Sequence, residues 1–312
     1  MKIVYMGTPD FAVPCLEALI NKGHTVSAVF AQPDRPKGRG HKLCPPPVKE
    51  CAEKHKIPVF QPERIKNNPE VLETLRSLNP DIAVVVAYGK ILPKEMLEIP
   101  KFGCINVHAS LLPKYRGSAP IQWAVLNGDK VTGVTTMLLD EGMDTGDILL
   151  TKEFEIPGEM TSGELFDALS PLGAELLTET VDALESGMIF PKKQDESKAT
   201  HAPMLSKEMA EIDFSKPAEQ IINLIRGMNP WPVAFTAFGD MKIKVYSAKK
   251  AGKSSAPAGE VLAGKSLVVS CGDGGSVELC EVQLVGSRRM TSEEMLRGHK
   301  IPEGSVLGTK ED

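Results

Sequence analysis

The sequence predicts an α/β protein with a doubly wound N-terminal domain, a polar linker and a small C-terminal β-barrel. Strand-like and helix-like segments alternate through the first half of the 312 residues. The run Ile82–Val86 is apolar without interruption, as is usual for strands buried inside parallel sheets. After residue 234 the pattern changes to short alternating strands with glycine-rich turns, which is typical of a small barrel.

The first half has the element order of a Rossmann-like sheet with right-handed crossovers. Predicted strands are Lys2–Met6, Val26–Ala31, a short one at Val59, Ile82–Val86 and Cys104–Val107; predicted helices are Phe11–Asn21, Pro47–Lys56, Pro69–Leu78 and Ala119–Asn127. The first strand ends in Gly7-Thr8-Pro9, where Pro9 takes the place of the second glycine of GxGxxG. The dinucleotide fingerprint is therefore missing, which disfavours a nicotinamide-dependent dehydrogenase.

The second half begins with two strands, 133–138 and 147–154, and a long amphipathic helix over 161–187 that Thr161-Ser162-x-Glu164 opens. A polar, proline-marked segment at 191–200 predicts a linker, and a further helix is expected over 207–228. The barrel strands are predicted at 234–238, 241–247, 259–263, 267–270 and 276–283. The predicted domains are thus 1–188 and 207–312, with a linker at 189–206.

Composition predicts a cytoplasmic protein that does not enter a membrane. Hydrophobic residues make up 42% and charged residues 25% of the chain, and no apolar run reaches 18 residues. The first strand starts at Lys2, which leaves no room for a cleavable signal. The six cysteines show no CxxC pair and no metal-ligand spacing with the six histidines. We therefore expect reduced thiols, several of them buried, and no metal site.

Polar side chains at the end of one strand are the strongest functional signal. Asn106 and His108 lie two residues apart, so they face the same way at a carboxyl strand end, where open α/β sheets bind ligands. Asp144 lies in an acidic loop with glycines at 142 and 146, and a carboxylate beside His108 would suit proton transfer. Two other interpretations stay open: polar residues that only cap strands and turns, and a weak cation site of Asp140, Glu141 and Asp144.

A local excess of basic residues contrasts with the net charge of −5. Residues 34–56 contain seven Lys or Arg and three acids. The part 35–42 is punctuated by glycine, and we expect it to be neither helical nor stranded. It follows a strand of the predicted sheet, so it emerges at the edge that carries Asn106 and His108. Such a loop could hold phosphates, although most charge runs only aid solubility.

Several motifs carry a family resemblance. They are Asn106-x-His108, Ser110-Leu111-Leu112-Pro113-x-Tyr115-Arg116-Gly117, Gly142-Met143-Asp144-Thr145-Gly146, Met6-Gly7-Thr8-Pro9-Asp10-Phe11-Ala12 and Gln32-Pro33-Asp34-Arg35-Pro36-x-Gly38-Arg39-Gly40. Together they resemble the 10-formyltetrahydrofolate-dependent formyltransferase family over nearly the whole chain. The resemblance implies 10-formyltetrahydrofolate as formyl donor, no metal, catalysis by Asn106, His108 and Asp144, and an OB-like C-terminal domain. It also implies that Ser110, Leu111, Leu112 and Pro113 line the folate pocket.

The closest resemblance is to the bacterial members that formylate methionyl-tRNA. It implies a monomer that acts on initiator methionyl-tRNA, with Arg39, Lys42 and Lys207 in contact with the tRNA. Two alternatives remain. A formyltransferase for a small amine, such as a nucleotide sugar or glycinamide ribonucleotide, needs neither the basic segment nor the added domain. A non-catalytic RNA-binding protein gives no reason for Asn106, His108 and Asp144 together.

Overall fold

The computed structural model describes residues 1–37 and 42–308, and the side chains of Lys37 and Lys42 are not among the described ones. The chain divides into two compact units. Unit 1 contains residues 1–120, 131–155 and 166–202, and unit 2 contains residues 121–130, 156–165 and 203–312. The predicted domain limits stay a prediction.

The strands and helices follow the predicted order. The strands that begin in the first 202 residues are β1 (Lys2–Gly7), β2 (Thr25–Phe30), β3 (Arg35–Lys37), β4 (Lys42–Cys44), β5 (Val59–Phe60), β6 (Ile82–Val86), β7 (Cys104–His108), β8 (Arg116–Gly117), β9 (Val131–Leu138), β10 (Ile148–Glu155) and β11 (His201–Ala202). The helices in the same range are α1 (Val13–Asn21), α2 (Pro47–Lys54), α3 (Pro69–Leu78), α4 (Lys94–Leu97), α5 (Pro120–Leu126) and α6 (Ser162–Glu185).

The main sheet of unit 1 confirms the doubly wound prediction. Its strand order is β10-β9-β7-β6-β1-β2-β5. Strands β7, β6, β1, β2 and β5 are parallel, β9 is antiparallel to β7, and β10 is antiparallel to β9. Every residue of β6 is buried, as its unbroken apolar run requires. The order of the parallel strands reverses between β1 and β6, and ligands bind beyond the carboxyl ends of strands at such a point. Asn106 and His108 lie on the next strand.

The sheet of unit 2 confirms the OB-like prediction in an open, curled form. Its members are β12 (Phe235–Phe238), β13 (Met241–Lys253), β14 (Val261–Leu262), β15 (Leu267–Ser270), β16 (Gly275–Leu284) and β17 (Met290–Thr291). They pair antiparallel in the order β12-β13-β16-β15-β14, with β17 also on β16. Register shifts interrupt the pairing of β13 with β16, and such bulges bend a strand. Both strands bury apolar side chains completely, among them Ile243 and Val245 of β13 and Val277 and Leu279 of β16.

Two element predictions are wrong for local reasons. The expected helix over 207–228 is broken: a 3-10 turn forms at Glu208–Ala210, and α7 begins only at Ala218 and ends at Gly227. Pro217 immediately precedes α7. Because proline lacks the backbone N–H that a helix interior needs, the predicted helix cannot continue through this residue. The segment 35–42, expected to lack strands, contributes β3 and β4, which pair antiparallel.

A last helix, α8 (Ser292–Gly298), is opened by a Thr291–Glu294 capping box that the predictions omitted.

The segment predicted as a linker is bonded to unit 1. The strand β11 pairs in parallel with β8, and Lys192 and Ile148 exchange backbone hydrogen bonds of 2.8 Å in both directions. The backbone of residues 200–202 therefore runs alongside the motif Tyr115-Arg116-Gly117. None of the described helices is long and apolar enough to cross a membrane.

Candidate active site

The carboxyl end of β7 presents a carboxamide and an imidazole. Asn106 is half-buried, and its side-chain amide has no hydrogen-bond partner among the described residues. His108, by contrast, is 6% exposed and held on both sides of its ring. An unpaired amide next to a fixed imidazole leaves a hydrogen-bond donor available to a ligand.

Two acceptors face the His108 ring. Nε2 lies 2.9 Å from the Tyr115 carbonyl oxygen, and Nδ1 lies 3.6 Å from Oδ2 of Asp144. A carbonyl oxygen only accepts, so Nε2 carries a hydrogen and donates it. In the neutral ring, Nδ1 is then the basic nitrogen, and it faces the carboxylate at more than hydrogen-bond distance. The Tyr115 carbonyl therefore fixes the tautomer of the ring, and the Asp144 carboxylate faces the unprotonated nitrogen.

Asp144 is placed by a strained backbone and by a neighbouring N–H. Its φ is 56°, in the left-handed region that non-glycine residues rarely adopt. Its Oδ2 accepts a 2.8 Å hydrogen bond from the N–H of Gly117. Ala87, which follows β6, and Tyr115 are also left-handed, with φ of 47° and 61°. Strain of this kind concentrates at functional sites, and all three residues lie in loops outside the strands.

Asp140 and Thr145 of the acidic loop, residues 140–146, form hydrogen bonds within the loop itself. The Asp140 carboxylate accepts from Thr145 Oγ1 at 2.7 and 2.9 Å and from the Gly142 N–H at 3.0 Å. Glu141 is exposed and lies 3.8 Å from Lys94. A Cβ at Gly146 would collide with the Leu138 carbonyl, which explains the glycine. The loop is therefore a turn that presents Asp144 to His108.

The segment Ser110–Pro113 forms a packed loop beside His108. Ser110 Oγ donates to the Lys114 carbonyl at 2.7 Å, and Thr135 Oγ1 donates to the Ser110 carbonyl at 2.6 Å. Ser110 and Leu112 are buried, whereas Leu111 and Pro113 are half-buried. The Ser110 hydroxyl thus stabilises the loop, and contact of these four residues with folate stays a prediction.

The three predicted tRNA contacts stay a prediction. Arg39 lies outside the described residues, Lys42 belongs to β4 with its side chain not described, and Lys207 is exposed in unit 2. The base of the β3–β4 hairpin is anchored, because Lys49 Nζ donates to both oxygens of Asp34 at 2.9 and 3.0 Å. Hydrogen bonds from Gln61 and Lys49 lower the pKa of Asp34.

Three important groups were missed by sequence reasoning. The Tyr115 carbonyl contacts His108, Gln194 contacts the acidic loop, and the Arg116 side chain contacts Gln194. The motif Tyr115-Arg116-Gly117 was a signal for the first two. Gln194 lies in the polar segment read as a linker, where nothing in the sequence distinguishes it.

Among the described residues, one cluster away from the site has donor atoms suited to a metal. Atoms of Glu17, Cys51 and His55 lie within 4.8 Å of one another, on α1, α2 and the residue that ends α2. Burial, with Glu17 nearby, raises the pKa of the Cys51 thiol, which disfavours the thiolate that binds metals. The cluster includes none of Asn106, His108 and Asp144.

Comparison with known proteins identifies the family. The family model described as "Formyl transferase" matches residues 1–181, and "Formyl transferase, C-terminal domain" matches residues 204–300. The chain is 53% identical over 312 residues to "Methionyl-tRNA formyltransferase" of Acetivibrio thermocellus, covering 99% of this chain and 100% of that protein. It is 50% identical to the protein of the same name from Citrifermentans bemidjiense, covering 100% of this chain and 98% of that protein.

Solved structures support the fold at lower identity. An N-formyltransferase of Helicobacter canadensis, in complex with folinic acid and dTDP-3-aminofucose, has a TM-score of 0.69 and 20% identity, covering 89% of this chain and 98% of that chain. HypX of Aquifex aeolicus, in complex with tetrahydrofolic acid, has a TM-score of 0.63 and 16% identity; the match covers 95% of this chain and 47% of HypX. Taken with the two family models and the full-length relatives, these matches show that the chain belongs to the formyl transferase family, in the group of the methionyl-tRNA formyltransferases.

Proposed function

We propose that this protein transfers the formyl group of 10-formyltetrahydrofolate to the α-amino group of methionine on initiator methionyl-tRNA. The observation that carries the proposal is the unpaired Asn106 amide beside a His108 ring whose Nδ1 faces Asp144. A donor for a developing oxyanion and a base with its own carboxylate are the groups that acyl transfer to an amine needs. The folate supplies the formyl carbon, and its N10 is the leaving atom.

Asn106 acts on the oxygen of the formyl group. When the amine attacks, this oxygen gains negative charge, and the Asn106 side-chain N–H groups have no competing partner among the described residues. Because the donor is already in place at a partly buried position, its hydrogen bond strengthens in the transition state. An oxyanion donor of this type contributes about 3 kcal/mol.

His108 moves the proton. The attacking amine becomes positively charged as its bond to the formyl carbon forms, and Nδ1 accepts the proton that it loses. The imidazolium then has Asp144 Oδ2 3.6 Å from Nδ1, while Nε2 keeps its bond to the Tyr115 carbonyl. Proton return to N10 accompanies cleavage of the bond between N10 and the formyl carbon. The chain needs neither a covalent intermediate nor a change of tautomer for this sequence.

The same proposal covers partner, oligomeric state and location. The bacterial relatives are named for methionyl-tRNA, and the basic residues Arg39, Lys42 and Lys207 are the proposed contacts to its phosphates. We propose that the protein acts as a monomer in the cytoplasm.

The proposal is tested by formyl transfer from 10-formyltetrahydrofolate to three acceptors: initiator methionyl-tRNA, free methionine and a nucleotide-linked amino sugar. We expect transfer to methionyl-tRNA only. Transfer to the amino sugar would support the small-amine alternative. Tight tRNA binding with no transfer to any acceptor would support a non-catalytic RNA-binding protein.

A further inference from the structure

Arg116, Gln194 and Glu196 form a hydrogen-bonded cluster next to the acidic loop, which we call the Gln194 cluster. Arg116 is buried, Gln194 is half-buried and Glu196 is exposed. The Gln194 amide nitrogen donates to the carbonyl oxygens of Asp144 at 2.8 Å and Gly146 at 2.7 Å. Its Oε1 accepts from Nε and a terminal nitrogen of Arg116 at 3.0 and 2.8 Å. One side chain thus bonds the backbone on both sides of Thr145 and uses its full hydrogen-bond capacity on these partners.

Arg116 is itself fixed. Its side chain is 4% exposed, and its two terminal nitrogens bond both carboxylate oxygens of Glu196 at 2.9 and 2.7 Å. Its backbone N–H donates to the Thr200 carbonyl at 2.8 Å. A planar guanidinium held by a bidentate carboxylate has little freedom to rotate, so it fixes Gln194 in turn.

The neighbours of Arg116 contact the reacting groups directly. Tyr115 supplies the carbonyl on His108 Nε2, and Gly117 supplies the N–H on Asp144 Oδ2. Gly117 has a φ of 121°, and a Cβ there would lie 2.8 Å from the Ala202 carbonyl oxygen, so only glycine fits beside β11. The tripeptide therefore sets the position of His108, of the Asp144 carboxylate and, through Gln194, of the Asp144 backbone.

From these contacts we infer that Gln194 is a positioning residue for Asp144, held in place by Arg116 and Glu196; the inference rests on the proposed function. Asp144 needs this support because its left-handed backbone is strained and would relax if the carbonyl bonds were lost. Its Oδ2 lies 3.6 Å from His108 Nδ1, so a shift of about 1 Å would weaken its effect on the imidazolium and lower the rate up to about 100-fold.

Two substitutions separate the donor role of Gln194 from its other contacts. Gln194→Met keeps the length and removes all hydrogen bonds, whereas Gln194→Glu keeps an acceptor for Arg116 and removes the donors to Asp144 and Gly146. We expect both to lower kcat by about 10- to 100-fold, with KM for folate and tRNA changed less than about threefold. Glu196→Gln, which weakens only the hold on Arg116, should give a smaller loss.

A control separates positioning from general loss of stability. Thr180→Val removes a buried hydroxyl that bonds Thr136 at 2.8 Å within unit 1, without touching the Gln194 cluster. It should lower Tm and leave kcat unchanged. An unchanged kcat in Gln194→Glu, or an equal fall in kcat for Thr180→Val at a similar Tm, would overturn the inference.

A double-mutant cycle supplies the decisive measurement. In an Asp144→Asn background, followed by single turnover with enzyme in excess, Gln194→Met should add no further loss, because the carboxylate that Gln194 positions is already gone. An additional loss as large as in the wild-type background would show that Gln194 acts independently of Asp144. Full turnover in Asp144→Asn alone would overturn the inference, because the carboxylate would then need no positioning. Absence of transfer to methionyl-tRNA by the wild type would instead contradict the proposed function, so the two failures are distinguishable.

Discussion

The tautomer of the His108 ring is fixed by a backbone carbonyl, that of Tyr115, and not by a side chain. Spacing placed Asn106 and His108 on one face of a strand end, and the acidic loop suggested Asp144 as the partner. The Tyr115 carbonyl could not be predicted, because its direction depends on a left-handed φ of 61° at a residue that is not glycine. Sequence patterns report side-chain types, whereas backbone acceptors at irregular loops depend on the folded path.

His108→Ala and Asp144→Ala should each lose most of the turnover while the fold and folate binding persist. His108 lies at the end of a strand and Asp144 lies in a loop, where loss of one polar group rarely unfolds a domain. The double variant should lose little beyond the worse single variant, because groups that act as a unit are not additive.

These variants are measured by kcat at saturating substrates and by thermal unfolding. Near-normal turnover in either single variant contradicts the proton-transfer role. A collapse of Tm in both would favour residues that only cap a strand and a turn.

Asn106→Ala should lower kcat roughly 100-fold, which corresponds to a loss of about 3 kcal/mol of transition-state stabilisation. The substitution should not lower the stability of the fold. The reason is that its side-chain amide has no partner to lose among the described residues. Asn68→Ala is the matched control: Asn68 caps α3 by accepting from the Val71 N–H at 3.3 Å, so its loss should cost about 1 kcal/mol of stability and no activity. If Asn106→Ala lost stability and kept activity, the oxyanion role would be wrong.

At the scale of elements, the β3–β4 hairpin shows how tertiary contacts override local composition. Glycine and charge between residues 35 and 42 predicted an irregular loop, yet Arg35 pairs with Cys44 and Pro36 with Leu43. The Lys49–Asp34–Gln61 hydrogen bonds hold the residue that precedes β3, and these partners come from α2 and the chain after β5. Pairing of this kind depends on residues outside the window that a pattern samples.

Arg39→Ala should raise KM for methionyl-tRNA and leave folate binding unchanged. Loss of a phosphate or base contact costs about 1–3 kcal/mol and reduces the slope of affinity against salt concentration. The matched control is Arg64→Ala, an exposed arginine of unit 1 outside the basic segment. Steady-state kinetics over a range of salt, with tRNA and folate varied separately, gives the answer. If the affinity for tRNA depended on salt concentration equally in the wild type and in Arg39→Ala, Arg39 would not contact the tRNA and the basic segment would only be exposed to solvent.

Across the whole chain, elements with a repeating hydrophobic pattern were predicted from the sequence, whereas individual hydrogen bonds between distant residues were not. An unbroken apolar run marked β6, and alternation marked β15 and β16, because burial on one or two faces imposes these periods. The polar segment 191–200 lacks such a period, so its bonds to unit 1 were not foreseen. The site divides in the same way: Asn106, His108 and Asp144 were predicted, and Gln194 was not.

The six thiols should report on the folded state of the whole chain. Cys15, Cys51, Cys104 and Cys271 are buried, as the sequence predicted for several of them, and burial raises the pKa of Cys15 and Cys104 to about 12. At pH 8 a thiol reagent should therefore modify only the half-buried Cys44 and Cys280 in the native protein, and all six after denaturation. Counting modified thiols by mass spectrometry tests this. Rapid native labelling of Cys104 would contradict the burial of β7.

The distance in sequence between Asp144 and Gln194 matters during synthesis. The two residues that form this hydrogen bond are 50 positions apart. At bacterial and eukaryotic rates of about 5–20 residues per second, a ribosome needs roughly 3 to 10 s to extend the chain from one to the other. Throughout that interval the nascent chain holds Asn106, His108 and Asp144 but not the amide that fixes the acidic loop. Until Gln194 has emerged and bonded the acidic loop, Asp144 in a ribosome-bound chain is therefore expected to lack its fixed position, with the same loss of rate of about 10- to 100-fold as in Gln194→Met.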